Sequence, residues 1–221
     1  MANETCASTL KACAIRVMRL DTDGTPLVGA NSLYVSDSLV LVGHTPQVPD
    51  RERIEQLNGC GDQCVLYIGS PKAVESADLR LNLCALDAEL IEMLAGGSVI
   101  TEGGSYDTMG YLAPTDSTIN EDGVSVEVWT YAWAGRQRKT KGGTPAFWRW
   151  FWPKTTWQSG EVTLENGVSV LPLTGVAEPN SGWGTGLSTD PIPVSVGEAV
   201  YGYWLDDQIP TAECGYQEIA A

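Results

Sequence analysis

Residues 58 to 64 read NGCGDQC, two cysteines three residues apart among glycines, and four more cysteines lie elsewhere in the chain. Zinc takes four ligands, commonly from CxxC-type pairs or mixtures with histidine. Cys60 and Cys64 have the wrong spacing for such a pair, Cys6 and Cys13 are separated by six residues, and Cys84 and Cys214 stand alone. Thioredoxin-like chemistry wants CxxC where a strand meets a helix, and neither condition is met. The glycines permit a tight turn, and free cysteines behave as small buried hydrophobes. The segment therefore reads as a turn with packed thiols. A disulfide formed outside the cell is one alternative, and a zinc site assembled from four cysteines brought together by the fold is another. No metal or cofactor is expected.

Other routes to catalysis are sparse. The only histidine is His44, so any Ser-His-Asp arrangement would depend on it alone. There is no GxSxG, P-loop or Rossmann fingerprint. Asp21 and Asp23 in DTDG resemble the start of a calcium loop, but the following TPLVGANS lacks its oxygen ligands and terminal glutamate. The chain reads as a non-enzyme. One segment invites binding: GRQRKTKGGTP, 135 to 145, carries Arg136, Arg138, Lys139 and Lys141, and is followed by Trp148, Trp150 and Trp152. Bases interleaved with aromatics bind single-stranded nucleic acid. Here the aromatics are bunched after the bases, in a protein of formal net charge −15.

The elements around these residues are mostly strands. Residues 14 to 20 alternate with period two and end in the turn signal DTDGTP. Short strands are expected at 33 to 35 and 39 to 42, and 52 to 57 should pair with 64 to 68 as a hairpin across NGCGDQ. Residues 78 to 83 alternate cleanly, with three leucines facing inward. LDAELIEMLAGG, 86 to 97, is the clear helix: Asp87 caps it, Leu90, Ile91, Met93 and Leu94 form its apolar side, and Gly96 and Gly97 stop it. Val124, Val126 and Val128 mark the best amphipathic strand. Residues 135 to 145 form an exposed loop or hairpin tip, and 146 to 154 place Trp148, Trp150 and Trp152 on one face with Phe147 and Phe151 flanking Arg149 on the other. A strand apolar on both faces must be covered twice. Asn166-Gly167 signals another hairpin within 161 to 175, 179 to 191 reads as a loop with too little aliphatic content for a core, and 194 to 205 supplies a final strand. The expected fold is mostly β: a sandwich or partly open barrel, 1 to 221, with one short flanking helix at about 87 to 95.

Length and charge bound what such a domain can do. A chain of 221 residues can bury a sizeable core. Charged residues make up 19%, below the usual figure of about 25%, and eight tryptophans leave apolar surface to hide in a core or against copies of the same chain. No acid occurs between Glu127 and Glu161, whereas nine acids and no base follow residue 154. That asymmetry fits a positive arm docking on the negative face of a neighbouring copy. It does not fit binding to a phosphate backbone. The N-terminal residues lack the apolar run of a secretory signal, no stretch is long and apolar enough for a transmembrane helix, and a protein made in a reducing cytoplasm is expected.

In number and order, several local patterns resemble the major tail proteins, or tail tube proteins, of long non-contractile-tailed phages (siphovirus type) infecting actinobacteria. They are RLDTDGTPLVGANSLYVSD at 19 to 37, NGCG at 58 to 61, DLRLNLCALDAELIEMLAGG at 78 to 97, MGY at 109 to 111, VEVWTYA at 126 to 132, FWPK at 151 to 154 and EPNSGWG at 178 to 184. The resemblance implies a structural virion protein whose sandwich or barrel assembles into hexameric rings. The rings stack into the tube that conducts the genome out of the capsid, with each subunit adding strands to a lumen-lining barrel. It implies a flanking helix at 87 to 95, an inter-ring loop region with short strands within 33 to 68, and lumen-lining candidates at 64 to 83 and 124 to 131. Implied partners are further copies of itself, the tape measure, tail terminator and distal tail proteins, and DNA in transit only, with no membrane. Interface candidates are Arg136, Arg138, Lys139, Lys141, Trp148, Trp150, Trp152 and Trp183.

Two alternatives stand beside this reading. A tail terminator or head–tail joining protein would form one ring in place of a stack. A monomeric carbohydrate-binding β-sandwich module would present Trp148, Trp150 and Trp152 as an exposed platform and keep one chain's mass at any concentration.

Overall fold

The computed structural model describes residues 8–51, 53–57, 63–68, 70–102, 108–134, 137–161, 171–187, 190, 192, 195–210 and 215–219. In chain order the elements are β1 (Ser8–Arg19), β2 (Gly29–Ser36), β3 (Leu39–Gln47), β4 (Arg53–Leu57), β5 (Gln63–Ile68), β6 (Ser76–Leu83), α1 (Ala88–Ala95), β7 (Ser98–Thr101) and β8 (Thr108–Leu112). They continue with β9 (Val124–Ala134), β10 (Gln137–Arg138), β11 (Thr140–Lys141), β12 (Thr144–Pro145), β13 (Phe147–Ser159), β14 (Leu171–Glu178), β15 (Gly202–Asp206) and β16 (Gly215–Ile219). The architecture is mostly β with one short helix and an open sheet, as the sequence indicates.

The main sheet runs β16-β2-β1-β9-β13-β14-β6-β3, with β10 beside β9 and β15 beside β13; every pairing is antiparallel. Its organiser is β13. Phe147 to Trp152 pair with β9 on one side while Phe147 to Phe151 pair with β15 on the other. From Lys154 onward, β14 takes over the place of β15. The change happens at a register shift between Trp152 and Thr155, where Pro153 stands. Proline cannot donate to a ladder and is tolerated at such a bulge. The extra residue also swaps the inward face from Trp148, Trp150 and Trp152 to Thr155 and Trp157. Thr155 is buried, donates to the Val124 carbonyl at 2.8 Å and accepts the Trp157 indole N–H at 2.8 Å.

The sheet curls so that its two halves share one core. Ile15 and Val17 of β1 and Val124, Val126 and Val128 of β9 pack with Leu79, Leu81 and Leu83 of β6 and Leu171 and Leu173 of β14. Alternation along β6 is the expected one, with Ala77 and the three leucines inside. Helix α1 contributes Leu90, Met93 and Leu94 to the same core. With only eight residues it relies on that packing and on its caps. Asp87 Oδ1 accepts the Leu90 N–H at 3.1 Å and the Tyr34 hydroxyl at 2.7 Å, which fixes the helix start to β2. At the other end Gly96 has φ 81°, and a Cβ there would lie 2.3 Å from the Thr118 carbonyl oxygen. Glu92 anchors the middle, taking Arg19 Nη2 at 2.6 Å and the Tyr216 hydroxyl at 3.1 Å.

Three small hairpins stand apart from the main sheet, β4–β5, β7–β8 and β11–β12. β4 pairs with β5 as expected, although the NGCG turn between them lies outside the described residues. β7 pairs with β8, a hairpin that the alternation of residues 98 to 112 does not announce. The Asn166-Gly167 turn also lies outside the described residues, and β16 is a C-terminal strand beyond the one expected at 194 to 205.

Gly175 of β14 sits opposite Trp157, and a Cβ there would meet the Thr156 carbonyl oxygen and the Trp157 ring, each at 2.7 Å. Backbone cannot yield cheaply, so Gly175→Ala is expected to destabilise by about 1–3 kcal/mol. A lowered midpoint of urea unfolding with unchanged slope is the expected result, and an unaltered midpoint would show that the strand gives way freely.

Candidate functional site

The central strands β1, β9 and β13 are covered on both faces. Opposite the shared core, the register sets Arg16 beside Glu127 and Arg149 beside Trp129. Glu127 is 0% exposed, and both its carboxylate oxygens are used. Oε2 accepts Arg16 Nε at 2.5 Å, and Oε1 accepts Arg149 Nη2 at 2.6 Å and Nε at 3.2 Å. The Trp129 ring lies near both guanidiniums, 5.2 Å from Arg16 Cζ and 5.1 Å from Arg149 Cζ, within cation–π range.

This ionic face has a roof from its own chain. Trp183, Leu187 and Ile192 pack on Met18, Leu20, Leu33 and Phe151 as a second core. Asp190 clamps both arginines, with Oδ2 to Arg16 Nη2 at 2.6 Å and Oδ1 to Arg149 Nη1 at 3.0 Å; Asp206 reaches Arg149 Nη1 at 3.3 Å. Burial acts to lower the pKa of Arg16 and Arg149, but Glu127 reverses it and raises both. For Asp190, burial acts to raise the pKa, and the two guanidiniums outweigh it, so the carboxyl titrates below its ordinary value. The described residues of this range, 179–187 and 190, are thus a loop, as the composition of 179 to 191 indicates, but one that completes a core. Asn180 pins its start, donating to the carbonyls of Gly24 at 2.8 Å and Pro153 at 3.1 Å.

The basic segment meets the acidic C-terminal part inside one chain. Arg149 reaches Asp190 and Asp206 as above, and Lys141 Nζ lies 3.2 Å from the Leu205 carbonyl and 3.9 Å from Asp207. Arg138 stacks its guanidinium over Tyr131 at 4.2 Å and Phe147 at 4.6 Å. Lys139 is half-buried, and its backbone N–H and C=O bond to Ala132 and Ala146; Arg136 lies outside the described residues. Gly142 and Gly143 form the exposed tip between β11 and β12. Part of the charge asymmetry along the sequence, Lys141 and Arg149 against Asp190, Asp206 and Asp207, is thus met within the fold.

The tryptophans also fold inward. Trp152 is 2% and Trp183 3% exposed, Trp148 is buried, and Trp150 is half-buried beside Trp152. Exposed apolar surface and free strand edges lie elsewhere. β3 pairs only with β6, which leaves its other edge unpaired among the described residues, and it exposes Val40 at 53% and Leu41 at 43%. At the opposite end of the sheet, β16 pairs only with β2. A groove of about 610 Å³ runs between α1 and β8, with exposed Leu86 and Met109 on its wall. None of these edges was assigned from sequence, because pairing partners are not encoded in alternation.

Metal-binding geometry is absent among the described residues: no group of three or more His, Cys, Asp or Glu could hold an ion. Asp21 has its oxygens engaged by the N–H groups of Thr25 and Asp23 and the Thr25 hydroxyl. The Thr25 backbone bond leads the effects that lower its pKa. Cys84 is exposed and free, while Cys13 is free and donates to the Trp129 carbonyl at 3.0 Å, its thiol pushed up to about 11 by burial. Cys60, Cys64, Cys6 and Cys214 fall where side chains are not described. Among the described residues no helix is long and apolar enough to cross a membrane.

No family model matches the chain, and no curated protein matches it by sequence. Among solved structures, the chain is similar to the tube terminating cap of the anti-feeding prophage. The alignment spans 77% of this chain and 88% of that one, at 9% identity and a TM-score of 0.28. Agreement at that level carries no argument about fold or function.

Replacing Glu127 with alanine strands two buried arginines and is expected to cost about 3–5 kcal/mol. Tryptophan fluorescence would report the roof loosening with it; unchanged stability would mean that Asp190 and Asp206 suffice. The lowered Asp190 pKa gives stability that is complete above its ordinary value of 3.8 and is lost as pH falls through the folded-state value. Thermal unfolding across that window should show Asp190→Asn less acid-sensitive than the parent, and identical profiles would contradict the clamp.

Proposed function

We propose that this protein is a structural, non-catalytic virion component: a tail tube protein whose copies form hexameric rings and stack into the conduit for genome delivery of a long, non-contractile phage tail. The observation that carries the reading is the open sheet whose edges at β3 and β16 are unpaired among the described residues. An exposed edge strand is a template for pairing with another chain, and free edges normally carry guards. β3 has Pro46 near its end and a register shift between Leu39 and Leu41, but it still presents Val40 and Leu41 to solvent along the strand. Contacts between different surfaces of identical copies close into rings when the rotation allows, and the two ends of one sheet are such different surfaces. The ordered sequence patterns from 19 to 37 through 178 to 184 add support from an independent direction.

In this reading β3 of one copy joins the sheet of the next. The β4–β5 hairpin within 33 to 68 contacts the adjacent ring, and the tip at Gly142-Gly143, flanked by Lys139 and Lys141, reaches a neighbour. Obligate interfaces commonly bury more than about 2,000 Å² and are apolar; the α1–β8 groove adds apolar area to the edges. The surplus of acids would keep a polyanion sliding through the lumen without adhering. Tape measure, terminator and distal tail proteins would meet the tube at its core and ends. A carbohydrate platform finds less support, since Trp148 and Trp152 are covered and only Tyr203, 55% exposed, stands beside Trp150.

Sedimentation velocity over a concentration series tests the proposal. The parent protein should form species many times one chain's mass. Val40→Lys with Leu41→Lys should leave single chains with the parent's far-UV circular dichroism, because charge on an edge blocks pairing. A parent that stays monomeric at every concentration contradicts self-assembly, and a double variant that still assembles contradicts the β3 edge.

A further inference from the structure

His44 is the only histidine, and it sits on β3 facing the tryptophans of β13. Its Nδ1 accepts the Trp152 indole N–H at 3.3 Å. That bond requires a lone pair on Nδ1 and so places the proton of the neutral ring on Nε2. Nε2 is buried and has no hydrogen-bond partner among the described residues. The Tyr201 ring meets the imidazole edge-on at 4.3 Å between centroids, while Trp152 and Trp150 lie at 5.8 and 6.5 Å.

From this geometry we infer that His44 is an acid-operated latch between the edge strand β3 and the tryptophan face of β13. Protonation turns Nδ1 from acceptor into donor, so it confronts the indole N–H it had accepted. The imidazolium then has two N–H groups and no acceptor for either. Tyr201 at 4.3 Å and Trp152 at 5.8 Å lie within the range of about 6 Å for cation–π attraction, which offsets part of the cost of the charge, but neither ring replaces the lost bond between the Trp152 indole and Nδ1. A cavity of about 250 Å³, lined by Val42, His44, Val128, Thr130, Trp150 and Trp152, gives the charged ring room to leave. The strand goes with it at its Gly43–Gln47 end, where Thr45, Pro46 and Gln47 are already exposed, while buried Leu39 holds the other end.

The surrounding charges do not oppose this. On β6, Arg80 and Asp78 are in register with Gly43 and Thr45 and are exposed on the outer face. On β9 and β13, Glu127 and Arg149 belong to the opposite, ionic face, and Lys154 lies past the bulge opposite Glu178. Tyr201 is the titratable group in contact. Burial alone lowers the His44 pKa. The latch is therefore closed above the ordinary imidazole value of 6.5 and opens as pH falls through that value toward the folded-state one. The device is internal to one chain and does not rest on the assembly reading.

Hydrogen–deuterium exchange read by mass spectrometry tests it on the full chain, assembled or dispersed. Exchange at the imidazole C2 gives the His44 titration, and amide exchange, corrected for its intrinsic pH dependence, gives the opening of residues 43 to 47. The two should share one midpoint below 6.5. Each unit by which it is depressed corresponds to about tenfold in the opening equilibrium. Protection in α1 should not change across the same step, and His44→Phe should abolish the step. Ionisation of His44 without loss of protection at 43 to 47 overturns the latch, as does a step that persists in His44→Phe. Should that variant not fold, the parent's two midpoints decide alone, and separate midpoints refute the proposal.

Discussion

A carboxylate held between two arginines in the middle of a sheet constrains everything around it. Glu127 lies on the central strand β9, opposite Arg16 of β1 and diagonal to Arg149 of β13. Each guanidinium placed there must find further acceptors, because a buried charge without partners costs several kcal/mol. Asp190 and Asp206 are those acceptors. Their positions draw the chain after β14 back across the sheet, and Trp183, Leu187 and Ile192 then close a second core over it. The centre of the protein is thereby sealed on both faces by its own chain.

Sealing the centre leaves the ends of the sheet as the open surface. β13 extends this arrangement by serving β15 and β14 in turn, with Pro153 at the bulge where one gives way to the other. The sheet curls enough for His44 of β3 to touch Trp152 of β13, yet β3 and β16 do not pair with each other. Where a fold with saturated faces and unsaturated edges does associate, its edges are the surfaces left for pairing. Such association is directional, whereas association through an apolar face is not. Directional contacts between identical units are what a ring or tube requires.

Local structure was legible wherever a period or a cap encodes it. Asp87, the Leu90–Leu94 stripe and Gly96-Gly97 define the helix to within a residue or two, and the leucines of β6 and valines of β9 face inward as their alternation indicates. The β4–β5 pairing follows from turn composition. What stayed hidden depends on partners distant in sequence. The double covering expected of this strand was legible, but the role of Arg149 between two phenylalanines was not, because its acceptors lie 22, 41 and 57 residues away. Trp183 in a Gly- and Ser-rich loop looks available to another molecule, yet Phe151 covers it at 4.8 Å. Basic and acidic segments that seemed set for different copies meet within one chain. The face change at Pro153 escapes any fixed period, since a bulge breaks the count.

A reconstruction by electron cryomicroscopy of the full-length protein, concentrated without denaturant, addresses edge-mediated assembly most directly. The account expects closed rings in which the backbone of β3 hydrogen-bonds to a strand of the neighbouring copy and covers Val40 and Leu41, with the ionic face still roofed by its own Trp183, Leu187, Asp190 and Ile192. Separate single chains, or rings in which β3 stays bare and the contacts lie elsewhere, would contradict it.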